Sequence, residues 1–564
     1  MDMKNIKKSK LNFAIMCYGD YFADWQAKTI THLLGLDDVN LSLLIIDDRK
    51  CNSNELDKSN IFYYFKEKDL KDAINKSIFS LYERHTKQNS SSCSSVDLSK
   101  KIEVAERLNI NMDKGDSSKY FPKDDLSKIK NYDLDFILHF AFEDIKGSIL
   151  DVPNFGIWSF HHGDIRHYKG GPEAFWEIYY DEPVTGSVLQ KLTNNYHGDI
   201  ILKKGFFSTI SNSWSKNLDQ VFYGSAIWPS QVAIDILQGN IDYFKRSRSK
   251  IDPTIYNTPN PYQLLLLIFK CFYSNFKLPK INQWTIGFSE KSIDYFVKNK
   301  DDRDITWLPI QGRSNFIADP FPIELDGEQY IFAENFSYKE EKGKISYVKL
   351  NEDNTKFNFK TAIERPFHMS YPYMFKHDGS VYCIPETFQA KEIKLFEIIE
   401  PDKWKEVSTL ISNIAAVDPT LVNYNGLWWL FFTKEDQRPD TDLYLYYSSN
   451  LLGPWTPHKN NPIKTNVLSA RPGGTPWTEK GILYRPSQNS SQGYGSSIVI
   501  NKVKKITPDI YEEEKITEIV ADKDSHLPCG RHTLSSNGNI TVIDGYRKIW
   551  NRYFIRKIYN KIFS

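Results

Sequence analysis

One spacing recurs through the C-terminal half of the chain and constrains the fold more than any other feature. Asp319-Pro320 is followed by Asp326-Gly327 and Glu334, Tyr371-Pro372 by Asp378-Gly379 and Glu386, and Asp418-Pro419 by Asn425-Gly426 and Thr433. In each copy Pro to Gly is seven residues, and Gly to the last polar residue is seven more. Asp-Gly and Asn-Gly tolerate the positive φ that a two-residue hairpin turn demands, so each copy reads as a tight β-hairpin. A fourth copy, Arg471-Pro472, Lys480-Gly481 and Gln488, is two residues longer before its turn; a fifth, Leu527-Pro528, Asn537-Gly538 and Gly545, is three longer.

The prolines recur at intervals of roughly fifty residues, room for four strands. A four-stranded unit cannot bury both faces alone, so the copies are expected to pack radially as a five-bladed β-propeller over residues 281–546. The fifth copy has no room for its outer strands. Trp284–Phe288 and Ile305–Ile310, ahead of the first copy, are expected to supply them and close the ring.

In such a ring Asp319, Tyr371, Asp418 and Arg471 fall at one set of inner positions, and Glu334, Glu386, Thr433 and Gln488 at another. Converging carboxylates suit acid/base work on a sugar, with Asp319 as candidate base and Glu386 as candidate acid. Glu334, Asp418 and Gln488 are candidate substrate-binding residues. Arg471, Arg485, Arg531 and His532 are candidates for holding an anionic group such as phosphate. The same side chains could instead serve only to bond neighbouring blades.

Ala318-Asp319-Pro320, the repeated hairpins and Gly453-Pro454-Trp455 resemble the five-bladed furanosidase-type glycoside hydrolases. Ala470-Arg471-Pro472-Gly473-Gly474, Tyr484-Arg485-Pro486 and Arg531-His532-Thr533 more closely resemble the N-terminal domain of plant glucosamine inositolphosphorylceramide transferases. That resemblance spans residues 284–546 and implies a propeller beside glycan chemistry. It does not make the propeller catalytic, since in the plant enzymes a separate domain is the glycosyltransferase.

The N-terminal half has another texture. Residues 12–17 read as a strand, Trp25, Ile30, Leu33 and Leu34 as a helix face, and Leu41–Ile46 as a second strand, a β-α-β opening that implies a parallel sheet. Residues 86–120 are poor in apolar side chains and read as a surface insertion. A further strand is expected at Phe136–Phe140. Residues 211–280 read as a helical linker, with Leu264–Phe272 as a buried helix.

Between them lies Gly156-Ile157-Trp158-Ser159-Phe160-His161-His162-Gly163-Asp164, then Tyr168-Lys169-Gly170-Gly171-Pro172, Thr185-Gly186 and Gly198-Asp199. This resembles the 10-formyltetrahydrofolate-dependent transferases, whose pattern is Asn-x-His, Tyr-Arg-Gly and Pro, Thr-Gly, then Asp-x-Gly. The resemblance implies a Rossmann-type formyltransferase-like α/β domain over residues 1–210. In that chemistry an amide and a histidine stabilise a tetrahedral oxyanion while a carboxylate handles protons. His161 matches the histidine, but Ser159 stands where Asn is expected and Tyr196 where Asp is expected. Both departures weaken 10-formyltetrahydrofolate as co-substrate, and Asp164 or Asp199 would have to replace the missing carboxylate.

Lys+Arg of 72 against Asp+Glu of 71 gives no basic excess, so no nucleic-acid partner is expected. The six cysteines form no CxxC pair, and no metal site is expected. The apolar run at Phe13–Cys17 is too short for a signal or a span, which predicts a cytoplasmic chain. Residues 547–564 carry Arg547, Lys548, Arg552, Arg556, Lys557 and Lys561 without an acid, with Trp550, Phe554 and Ile558 at helical spacing. They read as a basic amphipathic tail that either packs on the protein or touches an anionic membrane.

Three functions stay open on the sequence. One is a transferase of cell-surface glycan assembly acting on an activated or lipid-linked sugar. Another is a sugar N-formyltransferase, and the third a non-catalytic glycan-binding scaffold.

Overall fold

The computed structural model describes residues 8–48, 67–103, 105–112, 120–142, 145–194, 198–245, 254–274, 280–300, 303–350 and 357–550. The chain divides into two compact units, Met1–Phe276 and Lys277–Ser564.

The first unit is built on a seven-stranded sheet. Its strands in chain order are β1 (Leu11–Cys17), β2 (Val39–Asp47), β3 (Glu106–Ile110), β4 (Phe136–His139), β5 (Ile157–His161), β6 (Val184–Lys191) and β7 (Ile200–Ser208). Across the sheet they run β7-β6-β5-β4-β1-β2-β3, parallel from β5 to β3 and antiparallel at β6 and β7. The central strands are nearly all apolar because both faces are covered, as parallel sheets require. Phe13, Phe136 and Trp158 stack on one another on one face, with centroids 5.2 and 3.9 Å apart.

Three expectations for this unit fail, the first being that Leu264–Phe272 is a buried helix: of Pro261–Ser274 only Leu264 and Leu267 are buried. Residues 86–120 are not a simple surface insertion, because Glu106–Ile110 pairs with β2 as the sheet edge and Leu98 and Ile102 are buried. Ser90, Ser91 and Ser92 fasten the preceding turn by donating to the Asp219 carboxylate at 2.6, 3.2 and 2.8 Å. Nor are residues 211–280 a linker. The helix Trp214–Ser225 buries Trp214, Leu218, Val221 and Phe222, and Trp228–Leu237 buries Val232, Ala233 and Ile236, all in the core of the first unit.

The second unit holds five antiparallel sheets among its described residues. Four are consecutive: 315–363, 370–412, 416–465 and 477–520. The remaining sheet is composite. Lys280–Ser289 pairs along its whole length with Thr541–Trp550, flanked by Thr306–Trp307 and Leu534–Ser536. The ring therefore closes by joining its two ends, with the segments the sequence indicated. The hairpin turns have positive φ at Asp326 and Gly327, Asp378 and Gly379, Asn425 and Gly426, and Lys480 and Gly481.

The fifth repeat is misaligned in the sequence reading. The inner strand there is Leu534–Ser536, and the irregular inner edge falls at Arg531–Thr533 rather than at Leu527-Pro528. A four-residue turn, Asn537–Ile540, replaces the two-residue turns of the first four copies. The tail also departs from expectation. Arg547 to Trp550 finish a strand, and residues 551–564, where the amphipathic helix was expected, lie outside the described residues.

Candidate functional site

The Asp/Tyr-Pro dipeptides are β-bulges. Pairing slips between Ala318 and Phe321, between Ser370 and Tyr373, and between Val417 and Thr420, and Asp319, Tyr371 and Asp418 have φ of 52, 43 and 50°. A left-handed conformation costs a non-glycine residue about 1–2 kcal/mol, and a bulge re-aims the side chain it carries. The strain is repeated in three blades at the positions that face one another across the ring.

These side chains meet. Asp319 accepts the Thr533 hydroxyl at 2.8 Å and lies 3.1 Å from His532 Nε2. On the other side of the imidazole, Nδ1 is 2.6 Å from Asp544 Oδ2. The other Asp544 oxygen accepts the amides of His532 and Thr533 at 2.9 and 3.1 Å. Asp418 accepts Arg471 Nε at 2.6 Å and Gln488 Nε2 at 2.7 Å, while its own amide donates to Glu386 at 2.9 Å. Arg471 continues to Asp440 at 3.2 Å and to the Tyr494 hydroxyl at 3.4 Å. Tyr371, fully buried, reaches from the second blade to the fourth, where its hydroxyl accepts the Gly474 amide at 2.7 Å.

Burial and charge push these groups apart. Burial would raise the Asp319 carboxyl, but His532, Thr533 and Arg471 outweigh it and hold the group below the usual carboxylate range. Glu334 is raised well above that range by burial and by the charges of Asp319 and Glu386. Glu386 is also raised by burial, against Arg471 and the donors it accepts. Burial would lower His532, yet Asp544 and Asp319 carry it up to about 10. His368 Nδ1 accepts the Gly343 amide at 2.9 Å, which aims Nε2 at Glu334 and Glu386, 3.7 and 3.9 Å away.

Asp319, His532 and Asp544 bring three potential ligand atoms within 4.8 Å of one another. The sequence reading, which expected no metal site, did not foresee this grouping.

Two of the arginines named from the sequence are spent internally. Arg485, fully buried, is held by Glu513 at 2.7 Å and by the carbonyls of Ser469 and Ala470. Arg531, equally buried, donates to the carbonyls of Leu527 and Gly530 and lies over Trp307. Neither offers its guanidinium to an anion in the ring; Arg471 does face it. Asp544, Tyr494 and His368 were missed. Asp544 stands one residue before the Gly545 of the fifth copy, so correct alignment there would have exposed it.

In the first unit Ser159, His161 and Asp164 lie towards and just beyond the C-terminal end of β5, the edge where open α/β sheets bind ligands, whereas Asp199, just ahead of β7, lies at the opposite end of β5, where Trp158 pairs with Lys191. Ser159 lies 3.2 Å from Nδ1 of His139, a residue the sequence reading passed over. His161 Nε2 is 3.0 Å from the Tyr168 carbonyl. Asp164 is gripped by Arg166, and Asp199 accepts the Thr193 amide at 2.9 Å. Glu177 accepts the Asp164 amide at 3.0 Å, and burial raises it to about 7. His162 packs among Trp25, Phe160 and Phe222, and burial lowers it to about 3, so it stays neutral. Tyr196 and His197 lie outside the described residues.

The second unit is thus a five-bladed propeller with a polar ring of carboxylates, one imidazolium and one guanidinium at its inner edge. Residues 288–542 match the family model "Glucosamine inositolphosphorylceramide transferase 1, N-terminal". Glucosamine inositolphosphorylceramide transferase 1 of Oryza sativa subsp. japonica is 32% identical over 252 residues, covering 42% of this chain and 34% of that protein. Its namesake in Arabidopsis thaliana is 31% identical over 210 residues, covering 36% and 27%. The chain spans about a third of the length of the curated relatives it matches. Among solved structures, Zg3597, a family 117 glycoside hydrolase of Zobellia galactanivorans, is 15% identical with a TM-score of 0.30, covering 49% of this chain and 98% of that one.

Proposed function

We propose that the chain is a cytoplasmic transferase of cell-surface glycan or glycolipid assembly, with a sugar bound at the inner ring of the propeller. The observation that carries this reading is that Glu334 stands opposite Ala318 across paired strands, next to Asp319, with the Asp319 carboxyl held below the usual carboxylate range and the Glu334 carboxyl pushed well above it. Two carboxyls whose surroundings drive their proton affinities apart are suited to act as base and acid on the same hydroxyl-bearing substrate. The match of residues 288–542 to part of a named sugar-transferring enzyme supports the substrate class. Glu334 replaces Glu386 as the preferred acid, because Glu386 already accepts the Asp418 amide and the Ser370 hydroxyl.

The first unit fits ordinary formyl transfer poorly. Ser159 offers one hydroxyl where an amide is needed, a tyrosine occupies position 196, and Asp164 is committed to Arg166.

Mass spectrometry of surface glycans from cells with the chain, without it, and with His161→Ala or Asp319→Asn tests these readings. Loss of a whole sugar-containing group on Asp319→Asn, with His161→Ala unaffected, is the expected result. A difference of one formyl mass that follows His161 would establish N-formylation. Unchanged glycans in both variants, with glycan binding retained, would leave a scaffold.

A further inference from the structure

Towards the C-terminal ends of β4 and β5, a serine and a histidine are in contact. The two strands pair in register through Leu138 and Trp158, which sets the next residues, His139 and Ser159, side by side. Both are part-exposed, and Ser159 Oγ lies 3.2 Å from His139 Nδ1. The other ring nitrogen, Nε2, lies 2.7 Å from the Phe142 carbonyl oxygen. A carbonyl can only accept, so Nε2 carries the proton of the neutral ring and Nδ1 keeps a lone pair. The Ser159 hydroxyl therefore donates to Nδ1. Burial holds His139 below the ordinary imidazole range, which leaves the ring neutral at pH 7 and free to take a proton.

The backbone around the pair is built to hold it. Phe142 has φ of 68°, a left-handed conformation that a bulky residue rarely adopts. Its side chain is fully buried against Phe121, with ring centroids 5.2 Å apart. That packing fixes the strained turn and so aims the Phe142 carbonyl at Nε2. Gln190 pairs with Ser159 across β5 and β6, which puts the two side chains on one face of the sheet. Gln190 Oε1 is buried and has no hydrogen-bond partner among the described residues. The same amide, turned end for end, offers N–H to an oxygen that becomes negative when an acyl carbon is attacked. A hydroxyl bonded to a base, with the base oriented by a third group, is the arrangement of an activated nucleophile. It stands here at the strand ends where open α/β sheets bind ligands.

We propose that Ser159 is a nucleophile for acyl transfer, with His139 as its general base and an activated ester as the donor. Ser159 Oγ forms a bond to the ester carbonyl carbon while its proton passes to His139 Nδ1. The tetrahedral adduct collapses by breaking the bond to the leaving oxygen, which takes that proton from Nδ1 and departs as the alcohol. Ser159 is left carrying the acyl group. Water, or a hydroxyl of a second substrate, then attacks the acyl carbon and gives its proton to Nδ1, and the released Ser159 Oγ recovers it. The reaction uses residues of the first unit alone, and it goes beyond the glycan reading of the propeller ring without depending on it.

The test is covalent labelling of the full chain with an alkyl fluorophosphonate, alongside rapid kinetics with p-nitrophenyl acetate. The fluorophosphonate is expected to lose fluoride and leave a phosphonyl group on Ser159, located by peptide mass spectrometry. The acetate ester should release about one p-nitrophenolate per chain in an initial burst. Ser159→Ala should lose that burst, and His139→Gln, with an unchanged circular dichroism spectrum, should label at least about 10²-fold more slowly. A parent chain that takes no label at Ser159 overturns the proposal, whatever the folding of the variants. So does a burst that survives Ser159→Ala, or a folded His139→Gln that labels at the parent's rate.

Discussion

Asp544 lies 2.6 Å from Nδ1 of His532 and, through its other oxygen, accepts the amides of His532 and Thr533. One carboxylate therefore fixes both the charge of the imidazole and the backbone that presents it to Asp319. Because the folded-state value of His532 is raised to about 10, its contribution to stability is complete below the unfolded value near 6.5 and is lost as pH rises through about 10. His532→Gln leaves two buried carboxylates without their cation and should cost about 3–5 kcal/mol at neutral pH, read as a shift in the denaturant midpoint of the second unit. An unchanged midpoint would show that the imidazole is neutral.

The Asp319–Glu334 pair sets a pH window for activity. Product formation should fail on the acid side only below the ordinary carboxylate range, where Asp319 gains a proton. On the alkaline side it should fail above that range, where Glu334 loses one. Glu334→Gln should lower the rate by about 10²-fold or more and remove the alkaline limb, measured as a rate profile against pH. Retention of that limb in the variant would assign it to another group.

Glu177 carries a separate pH signature in the first unit. Its folded value near 7 exceeds its ordinary 4.5, so the folded state binds the extra proton and stability falls as pH rises between those values, by about 3 kcal/mol in all. Glu177→Gln should abolish that decline. Unfolding transitions compared at the two ends of the window decide it, since a parallel decline in the variant would exclude Glu177 as the source.

Gly474 has φ of 126°, and a Cβ there would lie 1.8 Å from the Leu534 carbonyl oxygen. Gly474→Ala must move the fourth blade from the fifth and disturb the Tyr371 hydroxyl that its amide reaches. A loss of more than about 3 kcal/mol is expected, whereas Gly481→Ala, which meets no atom within 4 Å, should show only the smaller cost of its own positive φ. Thermal melts of the two variants give the comparison.

Much of the propeller was legible because its turns need positive φ: Asp-Gly or Asn-Gly stands at the first three two-residue turns and Lys-Gly at the fourth. Where the turn changed to Asn537–Ile540, the spacing rule slipped, and with it the alignment that would have pointed to Asp544. Charge type was legible but commitment was not. Arg471 and Arg485 are alike in sequence context, each followed by Pro, and only three-dimensional pairing shows one facing the ring and the other held by Glu513. The Pro261–Ser274 helix misled for a related reason, since apolar composition shows what water disfavours, not what the fold buries.

The first and last strands of the second unit are antiparallel neighbours, with Lys280 opposite Trp550. The described part of this unit thus begins and ends side by side within one sheet. Loss of residues 541–550 alone would unlatch a structure that begins some 260 residues earlier.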